Sequence, residues 1–266
     1  MSPTRLLAHV VGSLVLAFLI LPLLAVVPAS FNRASFIQLP PAVWSARWYE
    51  AFLSDAEWVS SLLTSLKAAA LTTILSVGIG TAAALGLVRS SPRLRAVYMA
   101  LILSPLIVPV IMIAIALYYV ARPLGLHGTL LGLALGHTLL ALPFVVINVE
   151  LAFRTIDPNC LRAAEGLGAS PLRVFRTVTL PLIAPGLAGG AAFAFVTSFD
   201  EVVISIFLAG IQAKTLPVKL WETIRVEFTP VTAVASTLLL GLTLLMFAAV
   251  QILRSRNQDG GPAGAH

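Results

Sequence analysis

Cysteine occurs once in the 266 residues, as Cys160, so a disulfide within the chain is impossible and a thiol-based metal cage is excluded. Charge is nearly as scarce. Lys, Arg, Asp and Glu make up 11% of the chain, against about 25% in soluble domains. With 59% hydrophobic residues and a mean hydropathy of +0.98, there is too little polar side chain to clothe a water-facing core. Lipid must be the solvent. Zinc-ligand spacing, a Walker loop and nucleophile motifs are missing too. The histidines His9, His127, His137 and His266 are scattered, and read as packing or surface residues. The chain is expected to hold no catalytic residue, metal or cofactor.

What is present is apolar length. Crossing a bilayer takes about 20 predominantly apolar residues in a helix. Six runs meet that length, at 6–29, 62–88, 96–121, 129–153, 185–209 and 231–253. The predicted fold is therefore an all-α membrane protein with six transmembrane helices. The first run follows Arg5 and is similar to a signal peptide, but it is too long for a cleavable core and reads as a retained helix. Residues 1–57 would form this helix and an outer segment, 58–253 a five-helix core, and 254–266 a disordered Gly-rich tail. Trp44, Trp48, Tyr49 and Trp58 lie among polar neighbours and suit a headgroup belt.

The net charge of +6 is distributed unevenly. Arg5, Arg89, Arg93, Arg95, Arg154, Arg162, Arg173, Arg176, Arg254 and Arg256 fall on one side of the six-span layout. The other side mixes Arg33, Arg47, Arg122, Lys214, Lys219 and Arg225 with five carboxylates. The positive-inside rule then puts both termini in the cytoplasm, and the basic excess is an orientation signal instead of a nucleic-acid footprint. Small residues at Gly128, Gly132 and Gly136, and at Gly78, Gly80 and Ala82–Ala84, are read as faces where helices pack closely. Pro105 and Pro109 predict kinks in the third span. Glu150 and Arg154 are spaced as a structural helical ion pair.

Two segments carry function. The longer inward connection, Asp157 to Pro185, has helix-forming composition at Leu161–Leu167. Gly168 can end that helix, and Ser170-Pro171 can start another. Leu172, Val174, Phe175 and Val178 predict a short amphipathic helix stopping near Leu180-Pro181. A helix–break–helix of this kind suits a lever against another protein, or a helix resting on lipid. The pattern Arg162-Ala163-Ala164, Gly168, Val178, Leu180-Pro181 keeps every spacing of the EAA loop and resembles binding-protein-dependent ABC importer permeases. Arg162 stands where that family has glutamate, and Val178 where it has isoleucine. The resemblance implies the type I ABC importer permease fold in an inner membrane, with a cytoplasmic coupling helix. It assigns ATPase docking to Arg162, Ala163, Ala164, Glu165, Gly168, Ala169, Ser170, Pro171, Val174, Phe175, Leu180 and Pro181. Implied partners are a cytoplasmic ATPase dimer, a second and paralogous permease subunit and a periplasmic substrate-binding protein, within membrane lipid and without nucleic acid.

The second segment lies in span five. Ionisable groups at membrane depth face cavities and mark function. On an uninterrupted helix, Thr197, Ser198, Glu201 and Ser205 share one arc of roughly 100°, with Asp200 about 60° beyond its edge. Such a stripe could line a cation pathway, or could bond an arginine or hydroxyl of a neighbouring helix. Ser198–Gly210, with Thr215-Leu216-Pro217 and Trp221, is similar to spermidine/putrescine permeases, which implies a polyamine cargo passing Asp200 and Glu201. Permeases for ferric iron, phosphonates or opines share much of this segment. A secondary cation transporter or a non-transporting scaffold is the rival reading.

Overall fold

A computed structural model describes residues 3–227 and 229–259. The helices are α1 (Pro3–Ser30), α2 (Arg47–Ser54), α3 (Ala56–Val88), α4 (Pro92–Leu103), α5 (Val110–Ala121), α6 (Leu130–Arg154), α7 (Pro158–Gly166), α8 (Pro171–Val174), α9 (Leu180–Phe199), α10 (Val203–Leu208), α11 (Leu216–Val226) and α12 (Pro230–Asp259). Among the described residues the only β-pairing is an isolated bridge between Asn32 and Trp44. Among the described residues, five helical runs are long and apolar enough to cross a membrane, and a sixth crossing is available if one bent pair counts as a span.

The chain packs as two units. One comprises the chain to Ser60 together with Lys219–Leu242. Its α1 is apolar all round and its large apolar side chains between Leu6 and Leu24 are exposed, as a helix solvated by lipid requires. The residues after α1 are held by local bonds. Asn32 donates through Nδ2 to the carbonyls of Phe36 and Gln38 at 3.2 and 3.3 Å, and its Oδ1 accepts from the Ala34 amide at 3.0 Å. The Trp48 indole donates to the Ala34 carbonyl at 3.1 Å. Trp44 is exposed, as a belt residue should be, but Trp58 is buried against Phe52 with ring centroids 5.5 Å apart. Lys219 closes that corner, its Nζ 2.5 Å from a Glu57 oxygen and 5.4 Å from the Trp58 ring centre.

The other unit, Ser61–Val218 with the chain from Thr243, is built around α6. Helix α9 runs antiparallel along it at very short range. A Cβ at Gly190 would meet the Val145 Cα at 3.0 Å, and one at Gly186 would meet the Asn148 carbonyl oxygen at 2.7 Å. Of the small residues singled out in the sequence, Gly80 meets Val145 and Gly136 meets Ile204 and Leu208, while Gly78 faces open space. The core has two apolar clusters. Ile113, Ala114, Leu133, Ile204 and Leu208 pack at the Leu130 end of α6, and Ala84, Val145, Val149, Phe153 and Ile183 toward the Arg154 end.

Three expectations need correction. The third span is two helices meeting at 96°, not one kinked rod. Pro105 opens a 3-10 turn at Ser104–Leu106, and Pro109 stands at the N-cap of α5 with non-helical ψ of 126°. The fifth span does not begin at Pro185, nor does the amphipathic helix stop at Leu180-Pro181. The chain is helical without interruption from Pro171 to Phe199. A π turn at Phe175–Thr179, in which the Leu180 amide reaches back to the Phe175 carbonyl, adds the extra residue that lets Pro181 follow inside the helix. The span then breaks at Asp200, where the sequence predicts continuity to 209. Finally, α12 continues to Asp259, past the expected start of the tail, whose residues 260–266 lie outside the described ones.

Candidate translocation and coupling sites

The break between α9 and α10 contains neither proline nor glycine. In an unbroken helix the amides of Ile204 and Ser205 would donate to the main-chain carbonyls of Asp200 and Glu201. Here the Glu201 carboxylate takes both, Oε1 accepting from Ile204 and Oε2 from Ser205 at 2.9 Å each. The Ser205 hydroxyl donates to the Glu201 carbonyl at 2.9 Å. One side chain thus replaces two backbone acceptors and lets a short helix restart at Val203.

Around this cap lies a buried polar cluster. His137 of α6 is fully buried, its Nδ1 2.8 Å from Ser198 Oγ and its Nε2 3.0 Å from Ser205 Oγ. The same Nε2 is 3.5 Å from a Glu201 oxygen. Ser198 Oγ is 3.2 Å from Thr72 Oγ1 of α3, which donates to the Ala134 carbonyl at 3.3 Å. His137 lies seven residues, about 10 Å, from the Leu130 end of a helix roughly 37 Å long. The hydrocarbon layer is about 30 Å thick, so the cluster sits inside it.

Of the five residues predicted to line a pathway, Ser198, Glu201 and Ser205 are therefore buried, Glu201 bonded to Ser205 and both serines bonded to His137. Thr197 is half-buried. Asp200 alone is exposed, at the C-cap of α9. The single polar arc was built on a continuous helix, and the break at Asp200 removes its premise. Sequence reasoning missed His137 and Thr72. The signal was available, because an ionisable ring inside an apolar run asks for partners, but the search for ligand spacing passed over it.

The second site is an elbow. Asp157 caps α7 by accepting from the Asn159 amide at 2.9 Å. At its other end Gly168, with φ +81°, donates to the Glu165 carbonyl at 2.9 Å while the Ala169 amide reaches the Ala164 carbonyl at 3.2 Å. This pair of bonds is a Schellman closure, whose left-handed position favours glycine. Ser170 and Pro171 then start α8. Leu161 and Val174 turn inward over a small cleft shared with Leu85, Val88 and Phe153. Outward, Leu167 is 89% and Leu172 63% exposed, flanked by exposed Arg162, Arg173 and Arg176. Ala163, Glu165, Gly168, Ser170, Leu180 and Pro181 are exposed as well, Ala164, Ala169 and Phe175 half-buried and Val174 buried. Nearby, buried Glu150 pairs with Arg95 of α4 and lies 3.5 Å from Arg154, so the expected helical pair has a third member.

A family model described as binding-protein-dependent transport system inner membrane component matches residues 74–258. The spermidine/putrescine transport system permease protein PotC of Escherichia coli K12 is 29% identical over 98% of both chains. The putrescine transport system permease protein PotI of the same strain is 32% identical over 90% of this chain and 86% of its own. The molybdenum transport system permease protein ModB of Mycobacterium bovis is 35% identical, over 79% of this chain and 82% of its own. In fold, the chain is similar to a bacterial ABC transporter that imports the acidic polysaccharide alginate, with a TM-score of 0.69 at 18% identity, covering 98% of this chain and 99% of that one. The fold of this chain is that of type I ABC importer permeases. The chain is a multi-pass member of the binding-protein-dependent transport system inner-membrane components.

Proposed function

We propose that this permease carries a small cationic solute of the polyamine class, spermidine or putrescine, and that Asp200 is the pathway group that meets it. One observation carries the reading. Asp200 is an exposed carboxylate at membrane depth, at a helix break. A charge there is not left against lipid, so it belongs beside a water-filled path or a second subunit. Thr197 lies beside it, while Ser198, Glu201 and Ser205 shape the break from within. The cargo is opposite in charge to the carboxylate and matches the names of the PotC and PotI relatives. An oxyanion cargo, which the name of the ModB relative suggests, would be repelled at the same point.

Transport would be driven from outside the chain. Two ATPase subunits in the cytoplasm hydrolyse ATP, and the outward face of α7–α8, from Arg162 to Pro181, docks against them. A second permease, a paralogue of this one, completes the pathway, and a substrate-binding protein delivers cargo on the opposite side. The excess of arginine on the α7–α8 side sets that face, with both termini, in the cytoplasm.

The test is uptake by the assembled transporter in vesicles, with radiolabelled spermidine, putrescine and molybdate offered separately. Polyamine uptake that needs ATP and falls at least tenfold in Asp200→Asn supports the proposal. Uptake of molybdate alone, or polyamine uptake unchanged in Asp200→Asn, overturns it.

A further inference from the structure

We infer that His137 is a positioning residue of the transport pathway: bonded to Ser198 before the break and to Ser205 after it, its ring fixes the direction in which Asp200 projects. The inference rests on the reading of Asp200 as a pathway group, but its geometry stands apart from any cargo. Nothing in the backbone obliges this helix to break between Phe199 and Val203, since proline and glycine are both absent there. Side chains create the break, and side chains must hold its angle. Glu201 satisfies the amides of α10, but Glu201 is itself on the linker and turns with it. The Thr72 hydroxyl reaches only the α9 side, through Ser198. His137 is the residue of a different helix that touches both sides, at 2.8 and 3.0 Å.

The proton count shows that one ring proton suffices. On Nε2 it goes to Ser205 Oγ, whose own proton goes to the Glu201 carbonyl, and Nδ1 accepts from Ser198. On Nδ1 it goes to Ser198 Oγ, whose own proton goes to Thr72 Oγ1 while that of Thr72 goes to the Ala134 carbonyl, and Nε2 accepts from Ser205 once that hydroxyl turns away from the Glu201 carbonyl. Either arrangement keeps both bonds, so the clasp survives a change of tautomer. Rigid packing surrounds it. Gly136 beside His137 lies against Ile204 and Leu208 so closely that a Cβ there would stand 2.7 Å from the Leu208 Cδ1. The ring therefore works on a helix end already pressed against its own helix, and small losses in its bonding become rotations of the break instead of wider gaps.

The experiment reads the position of residue 200 directly, without transport. In the assembled transporter carrying Cys160→Ser and Asp200→Cys, the rate of labelling by a cationic methanethiosulfonate reagent is measured with His137, His137→Phe, His137→Asn and His137→Gln. His137→Phe keeps the volume and loses both bonds, and should change the labelling rate about fivefold or more. His137→Asn reaches Ser198 and His137→Gln reaches Ser205, so each should fall between the two. Equal rates in all four overturn the inference. If His137→Phe does not assemble, Ser198→Ala and Ser205→Ala take its place. Each must shift the rate at least twofold, and no shift in either overturns the inference equally. Uptake in the Asp200 background plays no part in this readout. Loss of the pathway reading through Asp200→Asn and loss of the clasp through labelling are thus separate outcomes.

Discussion

Two membrane helices in this chain are broken, and they are broken by different means. Between α4 and α5 the interruption is covalent. Pro105 and Pro109 remove donors and fix φ, and the bend of 96° needs no partner; Ser104 to Val110 hold no buried side chain. Between α9 and α10 the backbone is ordinary and the interruption is made by Glu201, then held by Ser198, Ser205 and His137. A proline break cannot be undone without mutation. A side-chain break has an alternative state close by, the continuous helix, and so lends itself to a part that must change conformation.

The largest effect should come from removing the cap. Glu201→Ala strips two buried amides of their acceptors and leaves His137 without its neighbouring carboxylate, a loss of about 2–4 kcal/mol. Thermal unfolding in detergent should fall by several degrees and uptake should vanish, whereas a midpoint within a degree of the parent would deny that side chains make this break. Gly190→Ala comes next. Its new Cβ would stand 3.0 Å from the Val145 Cα, where backbone cannot yield cheaply. Overpacking costs roughly 1–3 kcal/mol and should lower the same midpoint while leaving residual uptake. Gly168→Ala should cost about 1–2 kcal/mol for the left-handed conformation alone, because open space surrounds the position. Its signature is a midpoint lowered by a few degrees with ATP-driven uptake reduced severalfold, and uptake within about twofold of the parent would assign the elbow a merely structural role. Pro109→Ala should do least. Pro105 still interrupts the helix, so uptake should stay within about threefold of the parent, and a larger loss would make the covalent break the more delicate of the two.

How much of this was legible in the sequence follows the same division. Backbone-written features were readable: Gly168 as a helix end, Ser170-Pro171 as a helix start, and Pro105 and Pro109 as the place where the third span bends, though as a kink and not as a full break, because each acts through its own residue. Asp200 and Glu201 stood out as carboxylates in an apolar run. Their difference in role did not, because it depends on which amides Glu201 reaches once the helix has broken. His137 belongs to the same class. Its partners are 61 and 68 residues away, and only the packing of α6 against α9 brings them within bonding distance. The π turn was missed for a related reason. Leu180-Pro181 is an ordinary stop signal, and only an added residue in the preceding turn turns it into a passage.

That passage has a mechanical consequence. The helix from Pro171 to Phe199 is a single strut of 29 residues, about 43 Å from the elbow to the break. Force applied at Leu172 need not be relayed through side-chain contacts to reach Asp200. It arrives along hydrogen bonds of one helix, with the wide turn at Phe175–Thr179 as the built-in compliance. A small tilt at the proximal end is multiplied by the length of the strut before it reaches the distal joint.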